Sequence, residues 1–454
     1  MDYDVLVIGA GAAGYVAALH AAGQGLRTAL VEKGQVGGTC LNAGCIPTKA
    51  LVSTCQLLQN IRRSERFGIK VGDVTVDYPQ VQKRKEQAVL RLRKGIEFLF
   101  KKHKLEVYSG YATFVDRYTV EVVGDDETQR LTSKNMIIAT GSHPVSLFGL
   151  EFGQEIISST EALELPQVPK SLLVVGGGVI GCEMGYIFST LGAAVTIVEA
   201  ANQLLPGEDP EVSALLQRSL RKQGISIHTQ TLLDNLELGP EGVHAHLPKG
   251  DQTFEKVLIA VGRKPDYAQL GLEKVGVELA PKGGIPVDEN MQTNIEGIYA
   301  IGDVTGKWQL AHVGSAEGIA AVNAILGRPT PVDYRVIPRS IFTSPEIGAV
   351  GLTLKQAEDL GFQCAEASVP FVANGRAVAG DETEGFAKIV YEKDTGKILG
   401  LHLIGAGATE LVAEGAVAMQ LGATVADLAG TIHAHPTFAE SIQEAARQGA
   451  GIGF

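Results

Sequence analysis

Two cysteines separated by four residues, Cys40 and Cys45, lie in the segment GGTCLNAGCIPTK, which spans residues 37–49. In a regular helix their Cα atoms would be roughly 8–9 Å apart, beyond the ~7 Å that a disulfide can span. The chain must therefore tighten locally, and Gly44 supplies backbone freedom for this. A strained, accessible disulfide is easier to reduce than a structural one. We therefore predict a redox-active disulfide, with two unpaired core cysteines as the alternative.

A glycine-rich turn precedes the cysteine segment. Residues 3–8 are typical of a short buried strand, and Gly9, Gly11 and Gly14 follow at once, ahead of an alanine-rich stretch. This is the setting of a dinucleotide-binding fingerprint. Its first glycine permits the tight turn, its second lets the pyrophosphate approach, and its third lets the helix pack on the strand. The next predicted strand ends at Glu32, 18 residues after Gly14, where a carboxylate can accept from a ribose hydroxyl.

The same unit occurs a second time, 167 positions further along the chain. The spacing of the three glycines and the carboxylate of the first unit recurs at Gly176, Gly178, Gly181 and Glu199. A chance cluster of glycines would not reproduce four positions in this way. We therefore predict two dinucleotide sites, which together with a redox disulfide indicate an electron relay.

The residues after the second carboxylate favour NAD over NADP. A 2′-phosphate is usually recognised by a nearby arginine that replaces the acidic residue. Here Glu199 is present, and no basic residue follows it before Arg218. Gly262 and Arg263 are further candidate NAD contacts, and Arg263 could reach the adenosine end of the nucleotide.

The composition excludes several classes of protein. The 454 residues predict about two to four domains, because one hydrophobic core rarely supports so long a chain. A net charge of −12 argues against a nucleic-acid surface. Residues 172–198 carry only one charge, but the glycines of the second fingerprint argue against membrane insertion. Five cysteines cannot build a secreted disulfide framework, and no cleavable signal is recognisable, so we expect a cytoplasmic protein.

A charged stretch separates the cysteine segment from the second fingerprint. Residues 83–104 carry Leu92, Ile96 and Leu99 at helical spacing. This pattern predicts a solvated helix that packs through these apolar residues. A basic binding patch is the alternative.

The last part of the chain has a different pattern. Residues 385–405 predict two strands around a tight turn, and a helix is expected at residues 408–421. His433 and His435 lie near Glu440, which could suggest a metal site. No further ligand is spaced to complete it, so no metal is predicted.

These motifs together resemble the flavoprotein pyridine nucleotide-disulfide oxidoreductases over essentially the whole chain. The cysteine segment resembles the redox-active segment of that family, and residues 139–141 (ATG) and 301–303 (IGD) resemble its flavin motifs. Residues 433–440 (HAHPTFAE) resemble the signature of members that oxidise dihydrolipoyl groups. Val313 and the pair at 438–439 depart from the usual pattern and leave the partner complex open.

The resemblance implies an α/β fold with two doubly wound, Rossmann-like domains and a C-terminal α+β dimerisation domain. The expected order is an FAD-binding domain at residues 1–145, an NAD-binding domain at 146–270, a central segment completing the FAD site at 271–338, and the dimerisation domain at 339–454.

The resemblance also implies the catalytic roles. Cys40 would exchange with substrate, and Cys45 would lie against the flavin. His435 would take the substrate proton and Glu440 would orient its imidazole. Two further catalytic residues are expected. Lys49 would lie beside the flavin, and Glu183 would pair with Lys49 near the nicotinamide.

Both cofactors are expected to contact residues of the predicted motifs. The residues predicted to bind FAD are Gly9, Gly11, Gly14, Glu32, Lys33, Thr39, Lys49, Thr140, Gly141, Asp303, Ala311 and His312. Asp303 could instead be a simple strand-end cap. The residues predicted to bind NAD are Gly176, Gly178, Gly181, Glu199, Gly262 and Arg263.

The activity implied by the resemblance is oxidation of dihydrolipoamide, with two electrons passing through the disulfide and FAD to NAD. The expected assembly is a homodimer with shared active sites. Its expected partners are the lipoyl groups of an acyltransferase (E2) or of the glycine cleavage H protein. Another FAD-dependent disulfide reductase and a non-catalytic flavoprotein scaffold are the alternatives.

Overall fold

The computed structural model describes residues 1–125, 127–248 and 250–452. The first unit begins with an apolar strand that is buried on both faces, as a central parallel strand must be. Its strands are β1 (Tyr3–Ile8), β2 (Thr28–Glu32), β3 (Glu106–Ser109), β4 (Tyr111–Asp116), β5 (Thr119–Val123), β6 (Thr128–Ile138) and β7 (Ser142–Pro144). Its helices are α1 (Ala12–Gly23), α2 (Gly38–Ala43), α3 (Cys45–Arg62) and α4 (Tyr78–Lys102).

The second unit repeats the strand, glycine turn and helix of the first. Its strands are β8 (Ile156–Ile157), β9 (Ser171–Val175), β10 (Ala194–Val198), β11 (Ser226–His228), β12 (Glu237–Gly239), β13 (Gly242–Leu247), β14 (Gly250–Phe254), β15 (Lys256–Ile259) and β16 (Arg263–Pro265). Its helices are α5 (Ser159–Glu164), α6 (Val179–Thr190) and α7 (Pro210–Lys222). The order β11-β10-β9-β15-β8 is parallel throughout, and β12-β13-β14 form a separate antiparallel sheet.

After the second unit the chain returns to the first sheet. In that sheet the order is β3-β2-β1-β6-β5-β4. Strand β17 (Ile298–Ala300) pairs in parallel with β6, and helix α8 (Ala311–Ile325) follows it. Strand β16 also pairs with β7, which joins the two units at their connection. The second unit is therefore inserted within the first.

The last unit is an antiparallel sheet covered by helices. Its strands are β18 (Arg339–Ile341), β19 (Ile347–Gly351), β20 (Cys364–Pro370), β21 (Phe386–Glu392) and β22 (Ile398–Ile404). Its helices are α9 (Leu354–Asp359), α10 (Gly375–Ala379), α11 (Ala408–Gln420), α12 (Val425–Gly430) and α13 (Glu440–Gly449). The expected strand pair and the helix after it are confirmed here, as is the α/β class. Strand β17, in the central segment, joins the sheet of the first unit, and the expected domain limits stay a prediction.

The two glycine fingerprints have the same backbone geometry. Gly9 and Gly176 adopt φ values of 104° and 108°, which side-chain-bearing residues rarely adopt. A Cβ on Gly14 would lie 1.9 Å from the carbonyl oxygen of Gly9, and one on Gly181 equally close to that of Gly176. The third glycine of each unit therefore lets the helix pack against the turn.

Helix α4 corrects one expectation about packing. Leu92 and Leu99 are exposed, at 47% and 36% of their surface, and do not form a packed face. The inward stripe instead follows residues 85, 89, 93, 96 and 100, spaced four, four, three and four apart. It includes Lys85, whose Nζ donates to the carbonyl oxygen of Leu163 at 2.6 Å. The apolar pattern was misleading because charged residues occupy part of the inward face.

The apolar stretch at residues 172–198 forms β9, α6 and β10. Within the described ranges, no helix combines the length and apolar character needed to cross a membrane.

Candidate active site

A cavity of about 1990 Å³ lies between the first two units and the start of the last one. Most of the predicted site residues line it. The predicted FAD contacts in its wall are Gly9, Gly11, Glu32, Lys33, Thr39, Lys49, Thr140, Gly141, Asp303, Ala311 and His312; the predicted NAD contacts are Gly176, Gly178, Glu199, Gly262 and Arg263. Gly14 and Gly181 are not part of this wall, which agrees with their role in helix packing. Cys40 and Cys45 also line the cavity.

The two cysteines lie on either side of a helix break. Helix α2 ends at Ala43 and α3 begins at Cys45, with Gly44 between them at φ −149° and ψ −114°. A Cβ on Gly44 would lie 2.9 Å from the carbonyl oxygen of Thr39, so the tight approach requires glycine. The break explains how the two sulfurs meet although a continuous helix would separate them.

Both cysteines are free thiols, so the structure describes the dithiol form of the predicted disulfide. The thiols are hydrogen-bonded to each other. The bond from Cys40 lowers the pKa of Cys45 to about 7, and the Lys49 charge acts in the same direction, against the effect of burial. The same bond, together with burial, raises the pKa of Cys40 above its usual range. At neutral pH the pair therefore favours a thiolate on Cys45 and a proton on Cys40.

Lys49 lies one turn beyond Cys45 on α3 and pairs with a carboxylate of α6. Its Nζ is 3.0 Å from both oxygens of the buried Glu183. The backbone N–H of Phe342 also donates to Glu183, at 2.9 Å, and the ammonium lies 4.3 Å from the centre of the Phe342 ring. A fixed cation and a buried anion thus face the cavity beside the cysteine pair.

The first glycine cradle fits a dinucleotide pyrophosphate. Gly11 precedes α1, which has no side-chain N-cap, so its first N–H groups are available to an anion. No heavy atom lies within 4 Å of the place where a Cβ of Gly11 would be, so the cradle is open. Glu32 accepts from the N–H groups of Ala10 at 2.6 Å and Gly34 at 2.8 Å, which fixes its carboxylate beside the cradle.

The second cradle has the same construction. Gly178 precedes α6, which also lacks a side-chain N-cap, and the space beside Gly178 is open. Glu199 accepts from the N–H groups of Gly177 at 2.6 Å and Ala201 at 2.7 Å. The internal repeat therefore extends to the hydrogen bonds that hold each carboxylate, and both sites fit a dinucleotide.

Other predicted flavin contacts are connected to one another. Lys33 pairs with the Asp266 carboxylate at 2.8 Å, and the Thr140 hydroxyl donates to the Asp266 carbonyl oxygen. The Ser142 hydroxyl donates to Asp303 at 2.5 Å. His312 donates from Nε2 to the Pro338 carbonyl oxygen, and burial lowers the pKa of His312, so its neutral form is favoured.

Arg263 lines the cavity and is held by the segment that follows the flavin motif, and its contact with NAD stays a prediction. Its Nε donates to the Ser142 hydroxyl at 2.8 Å and its Nη2 to the Ser142 carbonyl oxygen at 2.6 Å. It therefore supports the segment that also holds Asp303. The reason is the pairing of β16 with β7, which sequence periodicity does not reveal.

His435 and Glu440 form a pair at the beginning of α13. The Nδ1 atom of His435 is 2.8 Å from Glu440 Oε1, and the Thr437 N–H donates to the other carboxylate oxygen at 2.8 Å. These bonds, that of Thr437 first, lower the pKa of Glu440. The imidazole is 80% exposed and does not line the cavity that contains Cys40. A single chain therefore does not bring these two predicted catalytic residues together.

The sequence analysis missed two contributors to the site. Ser142 follows the predicted flavin motif at 139–141 directly, and this proximity was a usable signal. Phe342 lies in a segment without any motif and reaches Glu183 only through tertiary packing. His433 has its own carboxylate partner, Glu414, at 2.7 Å.

Comparison with known proteins identifies the family. Residues 3–318 match the sequence profile described as "Pyridine nucleotide-disulphide oxidoreductase", and residues 337–446 match the dimerisation domain of the same family. The chain belongs to this family. FAD and NAD are accordingly its cofactors, and the protein is a homodimer.

Individual relatives agree with this assignment. The chain is 43% identical over 455 residues to dihydrolipoyl dehydrogenase of Geobacillus stearothermophilus, covering 99% of this chain and 97% of that one. It is 45% identical over 453 residues to dihydrolipoyl dehydrogenase of Chlorobaculum tepidum, and the match covers 98% of this chain and 96% of that one. Among solved structures, LpdA from Mycobacterium tuberculosis superposes with a TM-score of 0.92 at 29% identity, covering 98% of this chain and 99% of that one. The HOCl-induced flavoprotein disulfide reductase RclA from Escherichia coli superposes with a TM-score of 0.89 at 28% sequence identity, and the match covers 99% of both chains.

Proposed function

We propose that the protein is a dihydrolipoyl dehydrogenase that oxidises dihydrolipoamide with NAD. The observation that carries this proposal is the Cys40–Cys45 pair, which a helix break places in the wall of a cavity that also contains two dinucleotide cradles. Full-length similarity to dihydrolipoyl dehydrogenases supports the choice of substrate.

In the proposed reaction, the oxidised enzyme holds a Cys40–Cys45 disulfide. A substrate thiolate attacks the Cys40 sulfur, and the electron pair of the broken bond remains on Cys45 as a thiolate. The second substrate thiol then attacks its own sulfur in the mixed disulfide, which forms lipoamide and releases the Cys40 thiolate. His435 of the partner subunit takes the proton of each attacking thiol in turn. The first proton passes to solvent, and the second is returned to Cys40.

The groups around the pair support this division of roles. Glu440 holds the Nδ1 side of His435, which leaves Nε2 to carry the proton. Lys49, fixed by Glu183, stabilises negative charge beside Cys45. Bound FAD supplies the two-electron acceptor for the dithiol, and NAD the final hydride acceptor.

The remaining proposals concern partners and location. The anchored Glu199 disfavours a 2′-phosphate, which supports NAD rather than NADP. We place the protein in the cytoplasm. It serves lipoyl groups on an acyltransferase (E2) or on a glycine cleavage H protein, through active sites shared across the dimer.

The direct test is to assay the purified, yellow holoenzyme for NADH formation from dihydrolipoamide. Cys40→Ser and Cys45→Ser should each abolish this activity and retain FAD, while Cys364→Ser, in the C-terminal sheet, serves as the matched control. Cys45→Ser should also remove the long-wavelength absorbance that reduction produces. Turnover of a different disulfide, without dihydrolipoamide oxidation, would support another reductase. Bound FAD with no turnover would support a scaffold.

A further inference from the structure

The side chain of Asn42 lies between the two cysteines in sequence and closes the loop that carries them. Its Nδ2 donates to the carbonyl oxygens of Gly38 at 2.9 Å, Val36 at 3.1 Å and Gln35 at 3.3 Å. These bonds connect α2 to the chain that enters it. The amide therefore fixes the short helix that ends at the Cys40–Cys45 break.

The oxygen of the same amide is held by an arginine from a distant helix. Arg93 of α4 donates to Asn42 Oδ1 from Nε at 3.1 Å and from Nη2 at 2.6 Å. This is a two-pronged, charge-assisted contact, which is stronger and more directional than a neutral hydrogen bond. A cation on the amide oxygen also polarises the amide and strengthens the bonds that its N–H groups donate.

Arg93 lies on the inward stripe of α4 defined above, where an apolar side chain would be the usual choice. The neighbouring Leu90 and Leu92 are exposed, at 46% and 47%. The helix therefore directs a charged residue at the cysteine segment and leaves apolar residues outside. Arg84 makes a second connection, from Nη1 to the Ala50 carbonyl oxygen of α3 at 3.0 Å, beyond the cysteine pair.

We propose that Arg93 is a positioning residue for the thiol-disulfide chemistry of Cys40 and Cys45, acting through the side chain of Asn42. The inference rests on the proposed function. Loss of Arg93 removes both hydrogen bonds that the Asn42 oxygen accepts from the guanidinium, so α2 and Cys40 are held less firmly against Cys45. The hydrogen bond between the thiols weakens, and Cys45 becomes harder to ionise.

The experiment measures the long-wavelength absorbance of the Cys45 thiolate beside the flavin as a function of pH, in holoenzyme reduced by two electrons with dithionite. Wild-type protein should show a midpoint near pH 7, which reflects the low pKa of Cys45. Arg93→Ala should raise this midpoint by about half to one pH unit, and Arg93→Lys should be intermediate, because lysine lacks the fork. Arg84→Ala and Arg91→Ala are matched controls that should keep the wild-type midpoint.

Asn42→Asp is the second variant, which keeps an acceptor for Arg93 and loses the amide donors. It should also raise the midpoint, and it carries the test if Arg93→Ala does not fold. NADH oxidation by ferricyanide should be unchanged in every variant, which shows that FAD and NAD still bind. Equal midpoints in wild type, Arg93→Ala and Asn42→Asp would overturn the proposal. Because this titration uses no lipoyl substrate, inactivity with dihydrolipoamide alongside a shifted midpoint would reject only the proposed function.

Discussion

The interaction between Cys40 and Cys45 lowers the pKa of Cys45 and raises the pKa of Cys40. The bond from Cys40 is the largest cause of the low pKa of Cys45, ahead of the Lys49 charge. The chain thus distinguishes the sulfurs through its own residues. The negative charge is favoured on Cys45, beside Lys49 and Glu183, and the proton on Cys40.

The first prediction removes the donor. Cys40→Ala should raise the pKa of Cys45 from about 7 by about one unit or more, because the largest cause that lowers this pKa is lost while the effect of burial remains. Cys40→Ser keeps a hydroxyl donor and should raise it less. Ultraviolet thiolate absorbance across pH measures both. An unchanged titration in Cys40→Ala would show that the shift has another origin.

The second prediction concerns nucleotide choice at Glu199. Replacing Glu199 with alanine and Ala200 with arginine should shift the ratio of kcat/KM values towards NADP by about tenfold or more, because a repulsive carboxylate is lost and a phosphate partner gained. Ala200→Arg alone is the control, since Glu199 would neutralise the new cation. Equal use of both nucleotides by the unmodified enzyme would contradict the NAD assignment.

At the scale of elements, α8 holds the turn that presents Asp303. Glu317 of this helix is fully buried and accepts from the Gly302 N–H at 2.6 Å and the Tyr334 hydroxyl at 2.7 Å. Burial raises the pKa of Glu317. A buried carboxyl thus satisfies two donors beside Asp303, a predicted FAD contact.

Removing this acceptor should affect stability and flavin retention together. Glu317→Leu leaves the buried Gly302 N–H unpaired, at about 1–3 kcal/mol, and removes the carboxylate acceptor of the half-buried Tyr334 hydroxyl. Glu317→Gln keeps an acceptor and should destabilise less. Thermal unfolding and the rate of FAD release, followed by flavin fluorescence, are the measurements. If Glu317→Leu unfolds and releases FAD as the wild type does, the carboxyl does not support this turn.

The elements also show what the sequence could predict. The glycine turns and both carboxylates follow from local spacing, because the constraint lies within one strand, turn and helix. The prediction of which residues form the inward face of α4 was wrong. That face contains Lys85 and Arg93, whose hydrogen-bond partners come from other elements. Contacts such as Arg93 with Asn42, 51 positions apart, depend on packing that no local pattern encodes.

At the scale of the whole molecule, the last unit completes the cavity beside the cysteines. Arg339 at its first strand pairs with Glu208 of the second unit, with bonds of 2.7 and 3.0 Å. Three residues later Phe342 contacts both Lys49 and Glu183. The same unit carries His435 and Glu440 at an exposed position outside the cavity. The last unit therefore supports the site of its own chain, and in the proposed dimer its His435 would serve the site of the partner chain.

Shared sites make a quantitative prediction for mixed dimers. Cys40→Ser and His435→Ala homodimers should both be nearly inactive. Unfolded together and refolded, they form mixed dimers in which one site has both lesions and the other has neither. With random pairing half the dimers are mixed, so about a quarter of wild-type activity should return in a two-fold symmetric assembly. Refolding each variant alone is the control. If both residues came from one chain, every site would remain damaged, so mixed dimers that bind FAD and show no recovered activity would rule out a shared site.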